Sequence, residues 1–283
     1  MSDGLKTVET PSGKGAADEN FPVGSFLLPK RLRPHVMTYY AFARAIDDIA
    51  DNPGTSPQDK IAGLNAMDDA LLGHNQEPDG SLSKATSLRA SMLETNVDMA
   101  HGSDLVSAFR QDAVQSRYDS WDDLIDYCMR SASPVGRYLL ELHGEDKAHF
   151  DYSDALCNAL QVINHLQDCA DDFRDLDRCY LPLEWCKETG ANVEMLRGTS
   201  SPPALRAVQM KCLEATEALL RTAEKLPGKL TSKSLAMECG VIVSIAWKLV
   251  SKLKRQDPVA EKVKLSKPQF MLYGLKGAIK GLF

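Results

Sequence analysis

Residues 164–172 read Asn164-His165-Leu166-Gln167-Asp168-Cys169-Ala170-Asp171-Asp172, an acidic stretch with a helical pattern. On an α-helix, Asn164, Asp168 and Asp172 are four residues apart and stack on one face, with Asp171 beside them. Like charges at this spacing weaken an isolated helix by about 0.2–0.5 kcal/mol per pair. The stretch is therefore either a solvated acidic surface or one side of a site that a cation neutralises.

A second acidic stretch favours the cation site. It reads Asp47-Asp48-Ile49-Ala50-Asp51 and again places two carboxylates, Asp47 and Asp51, four residues apart. We predict that the two helices face each other across a bundle, so that their carboxylates line one opening. Unpaired buried carboxylates would cost several kcal/mol each, so a positive counter-charge is expected. Mg²⁺ fits because it takes oxygen ligands and keeps waters and substrate phosphates in its shell, whereas no twelve-residue calcium-binding loop is present.

Composition narrows the functional class. The chain has 283 residues, 43% of them hydrophobic, and a formal net charge of −6, which argues against general nucleic-acid binding. Its seven cysteines form no C-x-x-C pair, so neither a disulfide framework nor a zinc site is expected. We therefore expect the protein to work in a reducing cytoplasm. No secretory signal is visible at the start, and no uninterrupted apolar run reaches the ~18 residues of a membrane-spanning helix.

Apolar residues recur at intervals of three and four, which predicts an all-α fold of about ten helices around one core. We divide the chain into a loose leader (1–19), one helical domain (20–257) and a basic amphipathic tail (258–283). The predicted helices are about 35–51, 57–72, 86–95, 103–115, two pieces within 121–143, 150–172, 204–226 and 234–254. An irregular stretch is expected from about 180 to 203, and no alternating strand of useful length is present.

The basic tail has two interpretations. From Lys248 to Phe283 there are nine lysines and arginines against two acids, and the last residues mix apolar and basic side chains. This pattern fits an amphipathic segment on an anionic membrane, and equally a basic helix packed on an acidic body. Three glycines (Gly274, Gly277 and Gly281) make it a poor isolated helix.

The acidic helices predict a reaction as well as a metal. A metal cluster that holds a diphosphate stabilises the charge that develops when its C–O bond breaks. The remaining carbocation would need an apolar, largely dry cavity, which a helical bundle lined with aromatic and aliphatic side chains can supply.

Four blocks of sequence carry a family resemblance. They are Arg44–Asp51, Tyr127–Gly136, the acidic stretch 164–172 and Tyr180-Leu181-Pro182, and their order and separation resemble the squalene/phytoene synthase family of head-to-head prenyl synthases. The resemblance covers roughly residues 20–255 and implies an isoprenoid synthase fold with a central apolar cavity. Residues 19–25 and 131–136 resemble more narrowly the bacterial hydroxysqualene synthases of hopanoid biosynthesis. Members of that branch convert presqualene diphosphate to hydroxysqualene without a nicotinamide cofactor, and no dinucleotide-binding glycine motif follows a strand here.

The resemblance also implies the site residues. The expected Mg²⁺ ligands for two or three ions bridged by diphosphate are Asp47, Asp51, Asn164, Asp168 and Asp172, with Asp48 and Asp171 as shared or outer ligands.

The expected substrate-binding residues are Ser25, Phe26, Tyr40, Arg44, Gly136, Gln161 and Gln167. Tyr127 is expected to assist the cation chemistry through its ring or hydroxyl, or to be a core tyrosine. Arg44 could also pair with Asp48 on its own helix, and both roles can hold together. Gly136 either lets a helix pass close to the cavity or simply breaks a helix near Pro134.

Two departures from the family pattern concern the reaction. Gly24 stands where family members that condense two farnesyl diphosphates often have a basic residue, and Gln167 stands where they often have an arginine. Fewer cations suggest a site for one diphosphate, which favours the conversion of presqualene diphosphate, supplied by a separate synthase. The alternatives are head-to-head condensation of two prenyl diphosphates, or a non-catalytic helical module that binds cations and docks on membranes.

Overall fold

The computed structural model describes residues 27–75 and 80–281. Over these residues the chain forms eleven α-helices and no β-strand, which confirms the all-α prediction. The chain divides into two compact units, residues 1–115 and 116–283, and each is described by itself. The predicted boundaries of the leader, the domain and the tail remain predictions.

The first unit contains four helices that pack on one another. They are α1 (Arg33–Asp51), α2 (Pro57–Leu72), α3 (Ser83–Thr95) and α4 (Ala100–Asp112). α1 contacts α2, α3 and α4, and it buries Phe42 and Ile46 completely. The apolar side of α1 therefore faces this core, and its acidic end, residues 47–51, is held by a well-packed helix.

Capping residues explain why α2 begins and ends where the sequence predicts. The Ser56 hydroxyl accepts a hydrogen bond from the Asp59 amide, and Pro57 occupies the first helical position, where no amide is needed. Gly73 ends the helix in the left-handed conformation at φ +83°, which costs glycine little.

The second unit is built around one long helix. Its helices are α5 (Trp121–Ser131), α6 (Ser133–Leu142), α7 (Phe150–Leu176), α8 (Leu183–Thr189), α9 (Pro203–Ala223), α10 (Lys233–Leu253) and α11 (Lys267–Lys280). α7 has 27 residues and contacts α5, α6, α9 and α10. The acidic stretch 164–172 thus lies on the central helix of this unit.

Several predicted helix bounds were wrong by three or four residues, and the stretch predicted to be irregular contains a helix. α4 begins at Ala100, three residues before the predicted start, and the Ala100 amide donates a hydrogen bond to the Asp98 carboxylate. The stretch predicted to be irregular contains α8, which follows Pro182 and ends at Gly190 with φ +74°. Seven residues are too few for a helical period to stand out.

One helix meets the length and hydropathy conditions for crossing a membrane. α10 has 21 residues with a mean hydropathy of 1.5 over its most apolar window, and 61% of that window is buried inside the protein. Because α10 contacts α7, α9 and α11, its apolar side chains belong to the core of the second unit.

Candidate active site

The first acidic cluster, which we call the α1 motif, consists of Asp47, Asp48 and Asp51 near the end of α1. Arg44, one turn earlier, donates from Nη1 to Asp47 Oδ2 at 2.5 Å and from Nη2 to Asp48 Oδ1 at 2.8 Å. The pairing of Arg44 with its own helix is therefore confirmed. A guanidinium stays protonated at every relevant pH, so it supplies the α1 motif with one permanent positive charge.

One positive charge does not neutralise the α1 motif. Burial, and then the neighbouring Asp51, raise the pKa of Asp47 to about 7, although Arg44 acts in the opposite direction. Asp112 on α4, which is itself buried, adds to the same repulsion. Asp112 was not predicted as a site residue, because only the fold of the first unit brings α4 beside α1. The cluster has an excess of negative charge, which a bound cation would relieve.

The second cluster, the α7 motif, consists of Asn164, Asp168, Asp171 and Asp172, all of them partly exposed. Lys262 brings its Nζ to 2.5 Å from Asp171 Oδ2 and 3.1 Å from Asp168 Oδ1.

Arg174, on the same helix as the α7 motif, lies 2.5 Å from Asp171 Oδ1. The hydrogen bond from Lys262, together with that from Arg174, holds the pKa of Asp171 below its usual value. At this point the basic tail packs against an acidic helix, as one of its two interpretations proposed.

Gln167 lies on a different side of α7 from Asp168 and Asp172. It is buried, and its side-chain amide donates to the Val263 carbonyl at 2.5 Å, which ties the tail to α7. Gln161 is partly exposed and shares a helical face with Asp168 and Asp172. The substrate-binding roles of Gln161 and Gln167 remain predictions.

A buried aromatic cluster surrounds Tyr127 on α5. The Tyr127 ring lies 5.2 Å from Tyr118, 5.7 Å from Tyr180 and 6.1 Å from His165, measured between ring centroids. Tyr127 is only 2% exposed. The core interpretation of Tyr127 is therefore confirmed, and its role in cation chemistry remains a prediction.

His165 joins this aromatic cluster to the α7 motif, and sequence reasoning did not assign it to the site. Its ring stacks on Tyr180 at 3.6 Å, and it is one turn of α7 from Asp168. Burial, with a smaller contribution from Arg178, lowers the pKa of His165 to about 3, so the ring is neutral at physiological pH. Within the described chain, its buried Nε2 has no hydrogen-bond partner. The signal that could have found it was its position on the face of Gln161, Asp168 and Asp172.

Gly136 allows two helices to approach closely. A Cβ at this position would lie 2.6 Å from Cys157 Sγ and would overlap Ser153 Oγ, both on α7. At Gly136, α6 therefore passes close to α7, and its closeness to a cavity and its contact with substrate remain predictions.

The remaining predicted site residues lie in the first unit or outside the residues that the structure describes. Tyr40 is partly exposed on α1, one turn before Arg44. Ser25 and Phe26, like Gly24, lie outside the described residues.

The metal prediction agrees with the kind of donor present. Within the described residues of each unit, no group of three or more His, Cys, Asp or Glu side chains is arranged to hold a metal ion alone. The donors in both motifs are carboxylate and amide oxygens, which suit a hard divalent cation. Such a cation completes its shell with water and substrate phosphate, so one or two protein ligands per ion suffice. Burial and the neighbouring acids raise the pKa of Asp47, and a bound cation would offset the repulsion among these acids.

Comparison with known proteins assigns the chain to a family. The squalene/phytoene synthase family profile matches residues 15–269. A Zymomonas mobilis protein named hydroxysqualene synthase is 40% identical over 283 residues, covering 99% of this chain and 93% of its own length. A Sinorhizobium fredii protein of the same name is 38% identical over 258 residues, covering 91% and 87% respectively.

A solved structure agrees with this assignment. The crystal structure of a squalene synthase from Alicyclobacillus acidocaldarius is 30% identical, with a TM-score of 0.72 over 83% of this chain and 87% of that one. This likeness confirms the isoprenoid synthase type of helical fold. The family match over most of the sequence and the near full-length relatives show that the chain is an enzyme belonging to the squalene/phytoene synthase family.

Proposed function

We propose that the chain is a hydroxysqualene synthase that converts presqualene diphosphate and water to hydroxysqualene and diphosphate. The observation that carries this proposal is the similarity, over nearly the whole chain, to relatives named for that activity. The two acidic helical motifs and the buried aromatic cluster beside one of them support it, since the reaction needs a diphosphate site and a site for a carbocation.

The proposal includes two or three Mg²⁺ ions. Asp47 and Asp51 would bind them from the α1 motif, and Asn164, Asp168 and Asp172 from the α7 motif, which we propose to converge on one diphosphate. When bound, Mg²⁺ supplies positive charge that stabilises the departing diphosphate. Arg44 would hold Asp47 and Asp48 in place and keep part of their charge balanced before substrate arrives.

Side chains of the second unit would manage the cation. The C–O bond to diphosphate breaks with its electron pair on oxygen, and the resulting cyclopropylcarbinyl cation rearranges within the apolar site. Tyr127 and Tyr180 present aromatic rings, which stabilise a nearby positive charge. Neutral His165 adds no repelling charge to this surface. Capture by one water molecule forms the C–O bond of the product and releases one proton.

We also propose that the enzyme works in the cytoplasm at the inner face of the membrane. Its substrate would carry a long hydrocarbon that partitions into lipid, and the basic tail would provide peripheral contact. A presqualene diphosphate synthase would supply the substrate there as the first step of hopanoid biosynthesis.

Product analysis tests the proposed reaction. The purified chain is incubated in detergent with presqualene diphosphate or with farnesyl diphosphate, each with Mg²⁺ or with a chelator, and the products are identified by mass spectrometry. We expect hydroxysqualene only from presqualene diphosphate with Mg²⁺. Formation of presqualene diphosphate from farnesyl diphosphate would favour the condensing reaction instead. If neither substrate is consumed, the proposed activity is wrong.

A further inference from the structure

Helix α11 is held against α10 by direct backbone contact. A Cβ at Gly277 would overlap the Gly240 carbonyl oxygen, and one at Gly281 would overlap the Ala236 carbonyl oxygen. The glycines that make α11 a poor isolated helix therefore let it pack tightly. The N-terminus is secured by a capping box between Ser266 and Gln269. This packing fixes which side of α11 faces outward.

The outward side of α11 is an apolar ridge. We give this name to Met271, Leu272, Leu275 and Ile279, whose side chains are between 51% and 74% exposed. Met271 and Leu272 are adjacent, and Leu275 and Ile279 follow at helical spacing, so the four form one continuous stripe along the helix. An apolar stripe of this kind marks a surface that contacts another apolar phase.

A basic pocket lies beside the ridge. It is a cavity of about 720 Å³, and its lining includes Lys225, Trp247, Lys248, Tyr273, Lys276 and Lys280. Tyr273, Lys276 and Lys280 come from α11 itself, at helical intervals that turn them away from the ridge. The same helix thus presents apolar side chains to one side and cationic side chains to the pocket.

The chemistry of the pocket fits an anionic group. Four lysines line it against a single carboxylate, Glu224, in a chain whose net charge is −6. Within the described part of the chain, none of these lysines forms an ion pair with a carboxylate. Lysine ammonium groups donate hydrogen bonds and carry positive charge, and a phosphate diester presents only acceptors and negative charge.

We propose that the basic pocket binds the phosphate headgroup of an anionic membrane phospholipid while the apolar ridge enters the acyl region beside it. A free phosphate would use the pocket but leave the ridge exposed, whereas a phospholipid satisfies both surfaces of the helix at once. This site specifies the membrane contact proposed above and rests on that part of the proposed function. It is built entirely from the second unit and from residues that are not assigned to the reaction.

Vesicle co-sedimentation of the full chain tests the site. The vesicles contain phosphatidylcholine alone or with a quarter phosphatidylglycerol. We expect binding only to the anionic vesicles, with weakening at high salt.

Two double variants then separate the pocket from general charge. Lys276→Gln with Lys280→Gln should weaken binding on the order of 25-fold, because each lysine near an anionic surface contributes about 5-fold. Lys187→Gln with Lys233→Gln removes the same charge from exposed positions outside the pocket and should change binding less than about 2-fold. Equal effects of the two double variants on vesicle binding would contradict the proposal that the pocket binds the headgroup.

Two further measurements test the apolar ridge and the source of the phosphate group. Leu272→Ser with Leu275→Ser should reduce vesicle binding while thermal unfolding stays unchanged, because both side chains are exposed. Inorganic phosphate at millimolar concentration should not displace the protein from vesicles. Displacement by phosphate, or self-association through the ridge without vesicle binding, would overturn the proposal.

Activity in detergent distinguishes this proposal from the proposed reaction. The pocket and ridge variants should retain turnover of detergent-dispersed presqualene diphosphate. Vesicle binding without turnover would contradict the reaction alone, and turnover without vesicle binding would contradict the headgroup site alone.

Discussion

The α1 motif and the α7 motif share an acidic pattern but differ in how the protein balances their charge. In the α1 motif, Arg44 from the same helix offsets part of the charge, and the pKa of Asp47 still rises to about 7. In the α7 motif, Lys262 from the tail and Arg174 hold the pKa of Asp171 below its usual value. Equal sequence patterns therefore produce opposite electrostatics.

This difference teaches that burial and counter-charge together, and not the acidic pattern alone, set the state of each motif. Asp47 is partly buried beside other carboxylates, including Asp112, and a bound cation would relieve their mutual repulsion. Asp171 and Asp168 already have a lysine that substrate-bound metal would have to replace. A cation should thus bind the α1 motif without displacing another group, whereas at the α7 motif it should compete with Lys262.

The largest expected effect is on turnover. Asp47→Asn and Asp168→Asn should each lower the rate at saturating Mg²⁺ by at least about 100-fold, because each removes a proposed metal ligand. Rates with detergent-dispersed presqualene diphosphate measure this loss. Asp69→Asn and Asp151→Asn change exposed acids outside the motifs and should retain activity. Full activity in either motif variant would show that only the other motif serves the reaction.

The next effect is on acid stability, through the aromatic cluster beside the α7 motif. His165 has a pKa of about 3 in the folded chain against 6.5 when unfolded. Between these values the unfolded chain binds a proton that the folded chain does not. The free energy of unfolding should therefore fall as pH decreases from 6.5 to 3, by up to about 1.4 kcal/mol per pH unit.

His165→Phe keeps an aromatic ring and removes this titration. Its free energy of unfolding, from urea denaturation across the same pH range, should fall less steeply than that of the parent chain. His149→Phe, which replaces a partly exposed histidine outside the aromatic cluster, serves as the control. Parallel curves for His165→Phe and the parent would mean that His165 does not titrate in this window.

The helices could be predicted wherever their ends carry a local signal. The bounds of α2 were predicted correctly because Ser56, Pro57 and Gly73 mark them. The end of α7 was not, because the helix runs on to Leu176 and stops at Asp177 in the left-handed conformation, φ +53°. An aspartate at that position is weaker evidence of a helix end than a glycine.

The acids of the candidate site could be predicted, but their environment could not. Asp47 and Asp168 follow from helical spacing alone. Lys262 is 94 residues from Asp168 in sequence, and nothing in local spacing indicates their contact. Tyr118 and His165 likewise meet at Tyr180 only through the packing of the second unit.

A smaller effect is on stability, because the free energy of unfolding should depend on pH with opposite signs through the two motifs. Asp47 keeps its proton in the folded chain up to about pH 7, whereas the unfolded carboxyl loses it near 3.8. In chelator, its contribution to the free energy of unfolding should therefore decrease as pH rises from about 4 to 7. Asp47→Asn should stabilise the chain at pH 7 by about 1–3 kcal/mol, discounted because about a quarter of the side chain is exposed.

Asp171→Asn is the matched comparison in the α7 motif. Its carboxyl has a lowered pKa, so its contribution is present at neutral pH and is lost as pH falls below the usual range of an aspartate. Urea denaturation at pH 7 in chelator should show Asp171→Asn to be neutral or slightly destabilising. The same sign for both variants would remove the electrostatic difference between the motifs.

The smallest effect concerns the lysine that occupies the α7 motif. Lys262→Gln should change the free energy of unfolding by less than about 1 kcal/mol, because the lysine side chain is more than half exposed and exposed ion pairs contribute little. It should nevertheless lower the Mg²⁺ concentration for half-maximal activity by about 2- to 5-fold, since the metal no longer competes with an ammonium group for Asp168 and Asp171. Lys264→Gln removes a neighbouring exposed charge that makes no ion pair with the motif in the described structure, and should leave this concentration unchanged. A Mg²⁺ requirement that rises in Lys262→Gln would mean that Lys262 helps to bind the diphosphate, and the α7 motif would then need its lysine as the α1 motif needs Arg44.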